Sequence, residues 1–298
     1  MRVTQSMLSN NLLRNLNTSY SKLSKLQQQI ESGTVINRPS DDPVVAVKGM
    51  AYRYDLDKIN QYDRNIREGN TWLDSSDEAL GQVGDSLIRV KELLVQAAND
   101  TNTAEDRQKI REEIAQIKTH IIDVANTKIG ENYIFSGTHT DEPLYKGNTI
   151  NTNVTPAGAA RAISIDVFDG ISLEINVSGK ELFTKINDFM TTAEDLLNTG
   201  ATGESIGDLL GSGNTGLSSV TEDVLKARAN VGALQNRIEM MSNRLSARNV
   251  NVTKQLSQNE DTDYALAISQ MTTAQSIHQA SLSVGANIIQ QTLVDFIR

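Results

Sequence analysis

The chain contains no cysteine. Disulfides, zinc–thiolate sites and thiol nucleophiles are thereby excluded together. Aromatic residues are scarce for 298 residues: one Trp (Trp72), seven Tyr and five Phe. A compact enzyme core of this size normally carries more aromatic mass, whereas long thin helices need only Leu, Ile, Val and Ala. Basic charge is short as well, with 28 Lys and Arg against 37 Asp and Glu for a net charge of −9, and no basic cluster appears. Nucleic acid and anionic membrane are poor partners for such a chain, because both favour clustered cations. No apolar run approaches the roughly 18 residues of a membrane helix. The opening MRVTQSMLSNNLLRNL lacks the apolar core of a signal peptide. Export, if it occurs, is expected to use another route.

Heptad spacing is what the sequence does have, in five places. Leu12, Leu16, Leu23, Leu26 and Ile30 alternate steps of four and three, with Ser19 in the missing step. Leu73, Leu80, Val83, Leu87, Val90, Leu94 and Ala97 keep the rhythm, as do Ile110, Ile114, Ile117, Ile121 and Val124. The longest run goes from Leu217 through Val224, Val231 and Ile238 to Leu245, and Ile268, Met271, His278, Leu282 and Ile289 continue more loosely. Such a period predicts helices packed along their length.

The middle differs. Ile163, Ile165 and Val167 alternate with small or polar residues, Asp169-Gly170 offers a tight turn, and Ile171, Leu173, Ile175 and Val177 alternate again. That pattern predicts a hairpin. A short amphipathic helix is expected over Leu182–Leu197, and the Gly-, Ser- and Thr-rich 200–216 reads as a loop. The expected fold is mainly α with a small β insertion: an elongated rod of long coiled-coil-like helices, with the N- and C-terminal helices paired at one end and the β domain at the other. Three parts are expected: a terminal helical assembly domain (1–40 plus 257–298), a helical rod (41–135 plus 214–256), and an inserted mainly β outer domain (136–213). Residues 181–213 are left open between the outer domain and the rod.

The termini carry the functional signal. From Tyr264 to Val294 there is no Asp, Glu, Lys or Arg. A solvated helix normally carries charge outside, so charge depletion beside an apolar stripe marks a surface to be buried, within the monomer or by a partner. On the partner reading the assembly residues are Leu12, Leu16, Leu23, Leu26 and Ile30 at one end, and Ile268, Met271, Leu282, Ile289 and Phe296 at the other. Between the first helix and the rod lies a joint of Gly33, Pro39, Asp41, Asp42 and Pro43. Gly33 can end a helix, and Asp42 before Pro43 is a good N-cap with proline in the first turn. A metal site at Asp41 and Asp42 is the sharper alternative, but adjacent carboxylates more often serve as caps and surface charge. His120, His139 and His278 lack ligand spacing. The glycines at 211, 213 and 216 lack the lysine and preceding strand of a phosphate loop. No catalytic, metal or cofactor-binding residue is therefore assigned, and no enzyme activity is expected.

Several segments together resemble one family. Ile30–Met50 (IESGTVINRPSDDPVVAVKGM), Arg89–Asp100 (RVKELLVQAAND), Ala227–Leu245 (ARANVGALQNRIEMMSNRL) and the tail Thr262–Arg298 are similar, in order, to flagellins and the hook-associated proteins related to them. The resemblance spans about the first 140 and last 80 residues. The segment Ala125–Tyr145 (ANTKIGENYIFSGTHTDEPLY) resembles the hook–filament junction branch and lacks the stretch expected of a filament flagellin. The resemblance implies a structural, secreted motility component. It implies signal-peptide-independent type III export with a cytoplasmic chaperone, and a ring of copies seated on another hook-associated protein with flagellin polymerising beyond. The alternative is a flagellin, the filament subunit itself.

Overall fold

The computed structural model describes residues 5–99, 102–151, 162–177, 179–199, 203–211 and 216–294. The helices are α1 (Gln5–Ser32), α2 (Pro43–Ala97), α3 (Ala104–Ala125), α4 (Gly179–Asn198), α5 (Gly203–Leu210), α6 (Leu217–Glu260) and α7 (Tyr264–Val294). Between α3 and α4 lie β1 (Lys128–Ile129), β2 (Asn132–Tyr133), β3 (Tyr145–Lys146), β4 (Thr149–Ile150), β5 (Ser164–Phe168) and β6 (Ile171–Glu174). The fold is mainly α, as the heptads predict. The chain divides into two compact units, Met1–Lys58 with Arg248–Arg298, and Ile59–Ala247. Both divisions fall inside long helices, α2 and α6.

The second unit has the larger core. Heptad positions Leu73, Leu80, Val83, Leu87, Val90 and Leu94 of α2 are buried, as are Ile110, Ile114 and Ile121 of α3 and Val220, Val224, Val231, Ile238 and Leu245 of α6. Aliphatic side chains at this period form a continuous stripe, and each stripe removes its neighbours from water. Ion pairs flank the stripes: Arg228 Nε lies 3.0 Å from Asp77 Oδ1, and Arg89 Nη2 lies 2.7 Å from Glu113 Oε1. Thr103 caps α3 by accepting the Asp106 N–H.

Among the described residues the β segments form three separate two-stranded antiparallel sheets. The sequence anticipated β5–β6. Its register pairs Ser164 with Glu174 and Ile165 with Leu173, and a bulge separates Asp166 from Phe168. Gly170, at φ +71°, supplies the left-handed turn residue. This hairpin lies alongside α2 and α6. The Asn65 amide donates to the Asp166 carbonyl at 2.7 Å, the Tyr62 hydroxyl to Asp169 at 3.0 Å, and the Arg244 guanidinium sits 4.3 Å over the Phe168 ring. Gly69 makes the approach possible, since a Cβ there would stand 2.7 Å from Ile165 Cδ1. Hairpin β5–β6 rests on α2 between residues 62 and 69, because its inward face (Val167, Leu173, Ile175) needs apolar cover that a two-stranded sheet cannot supply.

Within 181–213 the structure describes two helices, α4 and α5. Helix α4 packs on α3: Lys118 Nζ reaches Thr191 Oγ1 at 3.0 Å and Glu194 Oε2 at 3.1 Å, and Arg111 donates to Asn198 at 2.7 Å. Phe183 of α4 meets Phe135 edge-on, with centroids 5.0 Å apart, and its carbonyl accepts the Tyr145 hydroxyl at 2.9 Å. Burial, and then the nearby Asp188, push the Tyr145 phenol far above its ordinary value. The expected loop 200–216 contains α5, because Ile206 and Leu209 give it a buried face.

Candidate assembly surface

The first unit is built on α1 and α7, which run antiparallel. A Cβ on Gly285 would touch Leu12, the Tyr20 and His278 rings lie 6.2 Å apart, and Thr34 bridges to Asp261. The covered face of α1 runs through Leu12, Leu16, Ser19, Leu23, Leu26 and Ile30. The covered face of α7 runs through Ala267, Met271, Ala274, His278, Ser281 and Gly285. The leucines of α1 therefore face a stripe in which Ala267, Ala274, Ser281 and Gly285 are small, so the backbones approach closely there.

This arrangement redistributes the expected interface. Leu12, Leu16, Leu23, Leu26 and Ile30 turn to α7 of the same chain, because a leucine stripe takes the nearest apolar groove. Met271 joins them, half-buried in the seam. Ile268 and Leu282 are 45% and 49% exposed. Ile289 falls where α7 side chains are not described, and Phe296 lies outside the described residues.

The surface that remains is strongly apolar. Nineteen large hydrophobic side chains are exposed among the described residues, and fifteen belong to the first unit, the smaller of the two. On α7 they are Tyr264, Leu266, Ile268, Ile277, Leu282 and Val284; on α1 they are Met7, Leu13 and Tyr20. Sequence reasoning missed most of these because it read one stripe per helix. Helix α7 has apolar residues on more than one face and no charge on any. An exposed apolar surface without charge marks an interaction site.

The joint is ordered by caps. The Gly33 N–H donates to the Gln29 carbonyl at 3.0 Å with φ at +72°, ending α1 in a left-handed turn. A Cβ on Gly33 would stand 2.8 Å from the Tyr264 hydroxyl. Asp42 Oδ1 accepts the N–H groups of Val44 at 3.0 Å and Val45 at 3.1 Å, and Pro43 opens α2. Asp41 accepts the Arg38 N–H at 3.2 Å and pairs with Lys25 at 3.3 Å; the Lys25 contact holds its carboxyl below the usual value. Pro39 lies in an exposed turn. Asp263 caps α7 by accepting from Ala265 and Leu266. Both joint aspartates thus serve local backbone and lysine partners, and no group of three or more metal-ligating side chains occurs among the described residues.

Family comparisons agree with this architecture. Residues 3–140 match the bacterial flagellin N-terminal helical region, and residues 215–297 match the bacterial flagellin C-terminal helical region. The flagellin of Bacillus subtilis (strain 168) is 27% identical over 304 residues, covering 98% of this chain and 97% of that protein. Flagellar hook-associated protein 3 of Escherichia coli (strain K12) is 24% identical over 307 residues, covering 94% and 95%. The crystal structure of Bacillus cereus FlgL shares the fold, with a TM-score of 0.58 at 23% identity over 70% of this chain and 99% of that one. With both helical regions matched in order around the β insertion, the chain belongs to the bacterial flagellin family of flagellar structural proteins.

Proposed function

We propose that the chain is the hook–filament junction subunit of the bacterial flagellum, seated as a ring of copies on another hook-associated protein and templating flagellin beyond it. One observation carries the reading: the apolar surface of the first unit concentrates on a helix pair with an uncharged α7. Covering such a surface with neighbours removes apolar area from water and so favours assembly. Leu266, Ile268, Ile277, Leu282 and Val284, with Met7, Leu13 and Tyr20, are the residues to be covered; Ile289 and Phe296 are added on the sequence pattern alone. The junction is favoured over the filament by 125–145. That segment forms the folded entry to the β insertion, where the Asn126 side chain donates to the Tyr145 carbonyl at 3.1 Å and accepts its N–H at 3.0 Å.

Delivery outside the cell by signal-peptide-independent export with a chaperone belongs to the same proposal, as does a purely structural, non-enzymatic role. The division into terminal domain, rod and outer domain is retained within it as a finer description. A second reading, the filament flagellin itself, is favoured by the full-length similarity to the Bacillus subtilis flagellin.

Immunogold labelling of purified flagella separates the two. Label confined to the hook tip, with hooks lacking filaments in a deletion strain, supports the junction; label along the filament replaces it with the flagellin reading. Deleting residues 262–298 removes α7 and should abolish incorporation while the second unit still melts cooperatively. Incorporation of that truncated chain would overturn the role given to the terminal helices.

A further inference from the structure

Among the described residues only one charged side chain is buried: Glu260, 5% exposed, at the last turn of α6. Its position is structural in origin. Covered positions on α6 step through Leu245, Val252 and Leu256 to Glu260, and on α2 through Ala46, Gly49, Leu56 and Ile59. Glu260 therefore occupies a seam position where the repeat calls for an aliphatic side chain. Opposite it is Gly49, where any Cβ would overlap the Glu260 carboxylate. One carboxylate oxygen takes Arg53 Nη2 at 2.5 Å, and the neighbouring Asn259 amide donates to the Val45 carbonyl at 2.9 Å.

A buried ion pair of this kind seldom stabilises more than an apolar side chain of the same shape. Arg53 is itself 60% exposed, so half of the pair stays in water. What a lone polar residue in an aliphatic helix seam does supply is register. The seam beside it is Ala, Leu, Ile and Val, which repeats and tolerates a slip of one turn. Glu260 does not tolerate it. A slip of about 5.4 Å moves the carboxylate from Gly49 to the neighbourhood of Ala46 or Arg53, where a Cβ fills its place, and separates it from its cation.

We propose that Glu260, received by Gly49 and paired with Arg53, is the register lock of the α2–α6 pair and through it sets where the terminal helices begin. The connectors attach at this point. The Val35 N–H donates to the Glu260 carbonyl at 2.7 Å, the Thr262 N–H donates to the Gly33 carbonyl at 2.9 Å, and α7 starts at Tyr264. A slipped register breaks both bonds and offsets α1 from α7 by a turn.

The absence of cysteine makes the test direct. Spin labels are placed on cysteines replacing Met50 and Val250, 56% and 65% exposed on α2 and α6 of the same unit, in the full chain. The unaltered seam should give a single label–label distance. Glu260→Leu should keep or raise the melting temperature yet add a second distance displaced by about 5 Å. Gly49→Ala, which keeps the carboxylate but fills its place, should do the same, and Glu260→Gln, which can still accept from Arg53, should retain the single distance. Should Glu260→Leu not fold, Gly49→Ala decides alone. A single unshifted distance in Gly49→Ala, or in a folded Glu260→Leu, would overturn the lock whatever happens to the melting temperature.

Discussion

Gly179→Ala is the sharpest test of the packing. Gly179 opens α4 against the segment before it, and a Cβ there would stand 2.5 Å from Phe135 Cβ and 2.8 Å from the Phe135 carbonyl oxygen. Both are about 1 Å inside normal contact and belong to atoms near or in the backbone, so no side-chain rotation relieves them. Overpacking of this kind costs about 1–3 kcal/mol. The helix-propensity gain of alanine over glycine returns less than about 1 kcal/mol. The net loss is about 1–2 kcal/mol, or a fall in Tm of roughly 2–8 °C for a unit of this size. The same substitution at Gly84, inside α2 with nothing within 4 Å of a built Cβ, is the control. There alanine should stabilise by about 0.5–1 kcal/mol. The assay is thermal unfolding of the full chain by circular dichroism, with urea unfolding as a cross-check. Equal behaviour of the two alanines, or a Gly179→Ala chain as stable as the parent, would refute the reasoning from backbone approach.

Four further outcomes are expected. Asp42→Ala removes the acceptor of two N–H groups and should lower the stability of the first unit by about 0.5–2 kcal/mol, seen as faster amide exchange at Val44 and Val45. Lys118→Met leaves the Glu194 carboxylate, 23% exposed, without its cation; the loss should be about 1–3 kcal/mol, and adding Glu194→Gln should recover most of it. Asp41, lowered by Lys25, should titrate by NMR below a free aspartate, and Lys25→Met should move it upward. Asp106 is lowered chiefly by the Thr103 hydroxyl and then by Lys109. A depressed carboxyl contributes stability above its unfolded value, near pH 4, that is lost as pH falls through the folded one; Thr103→Ala should therefore flatten the acid limb below about pH 4.

Periodicity made the helical part of this fold legible. Each heptad run became a helix, and Leu73 to Leu94 or Val220 to Leu245 are buried where the repeat puts them. The Asp169-Gly170 turn made β5–β6 legible too, since few residue pairs other than these satisfy such a turn. The short hairpins β1–β2 and β3–β4 had no readable signal, because two-residue strands have no alternation to detect. The resting place of β5–β6 was hidden as well. It depends on Gly69 leaving room between α2 and α6, and a glycine in a sequence does not say what fills its space. The terminal surface was half legible. Charge depletion identified α7, and the heptad steps Met271 and His278 do fall in its seam, but the steps between them are taken by the small Ala267, Ala274, Ser281 and Gly285, which a hydrophobic template passes over. Glu260 escaped notice because a carboxylate at a core step reads as the end of a stripe.

The small-residue seam of α7 has a practical consequence for mutational surveys. Substitutions along its thirty-odd positions fall into two populations that no single assay sees together. Changes at Ala267, Ala274 or Gly285 alter the fit against α1 and register in the melting of the dissolved chain. Changes at Leu266, Ile268, Ile277, Leu282 or Val284 touch mostly water there and leave that melting nearly unmoved. A stability screen would score these five as tolerant, and a motility assay is where the proposed cover by neighbours would register.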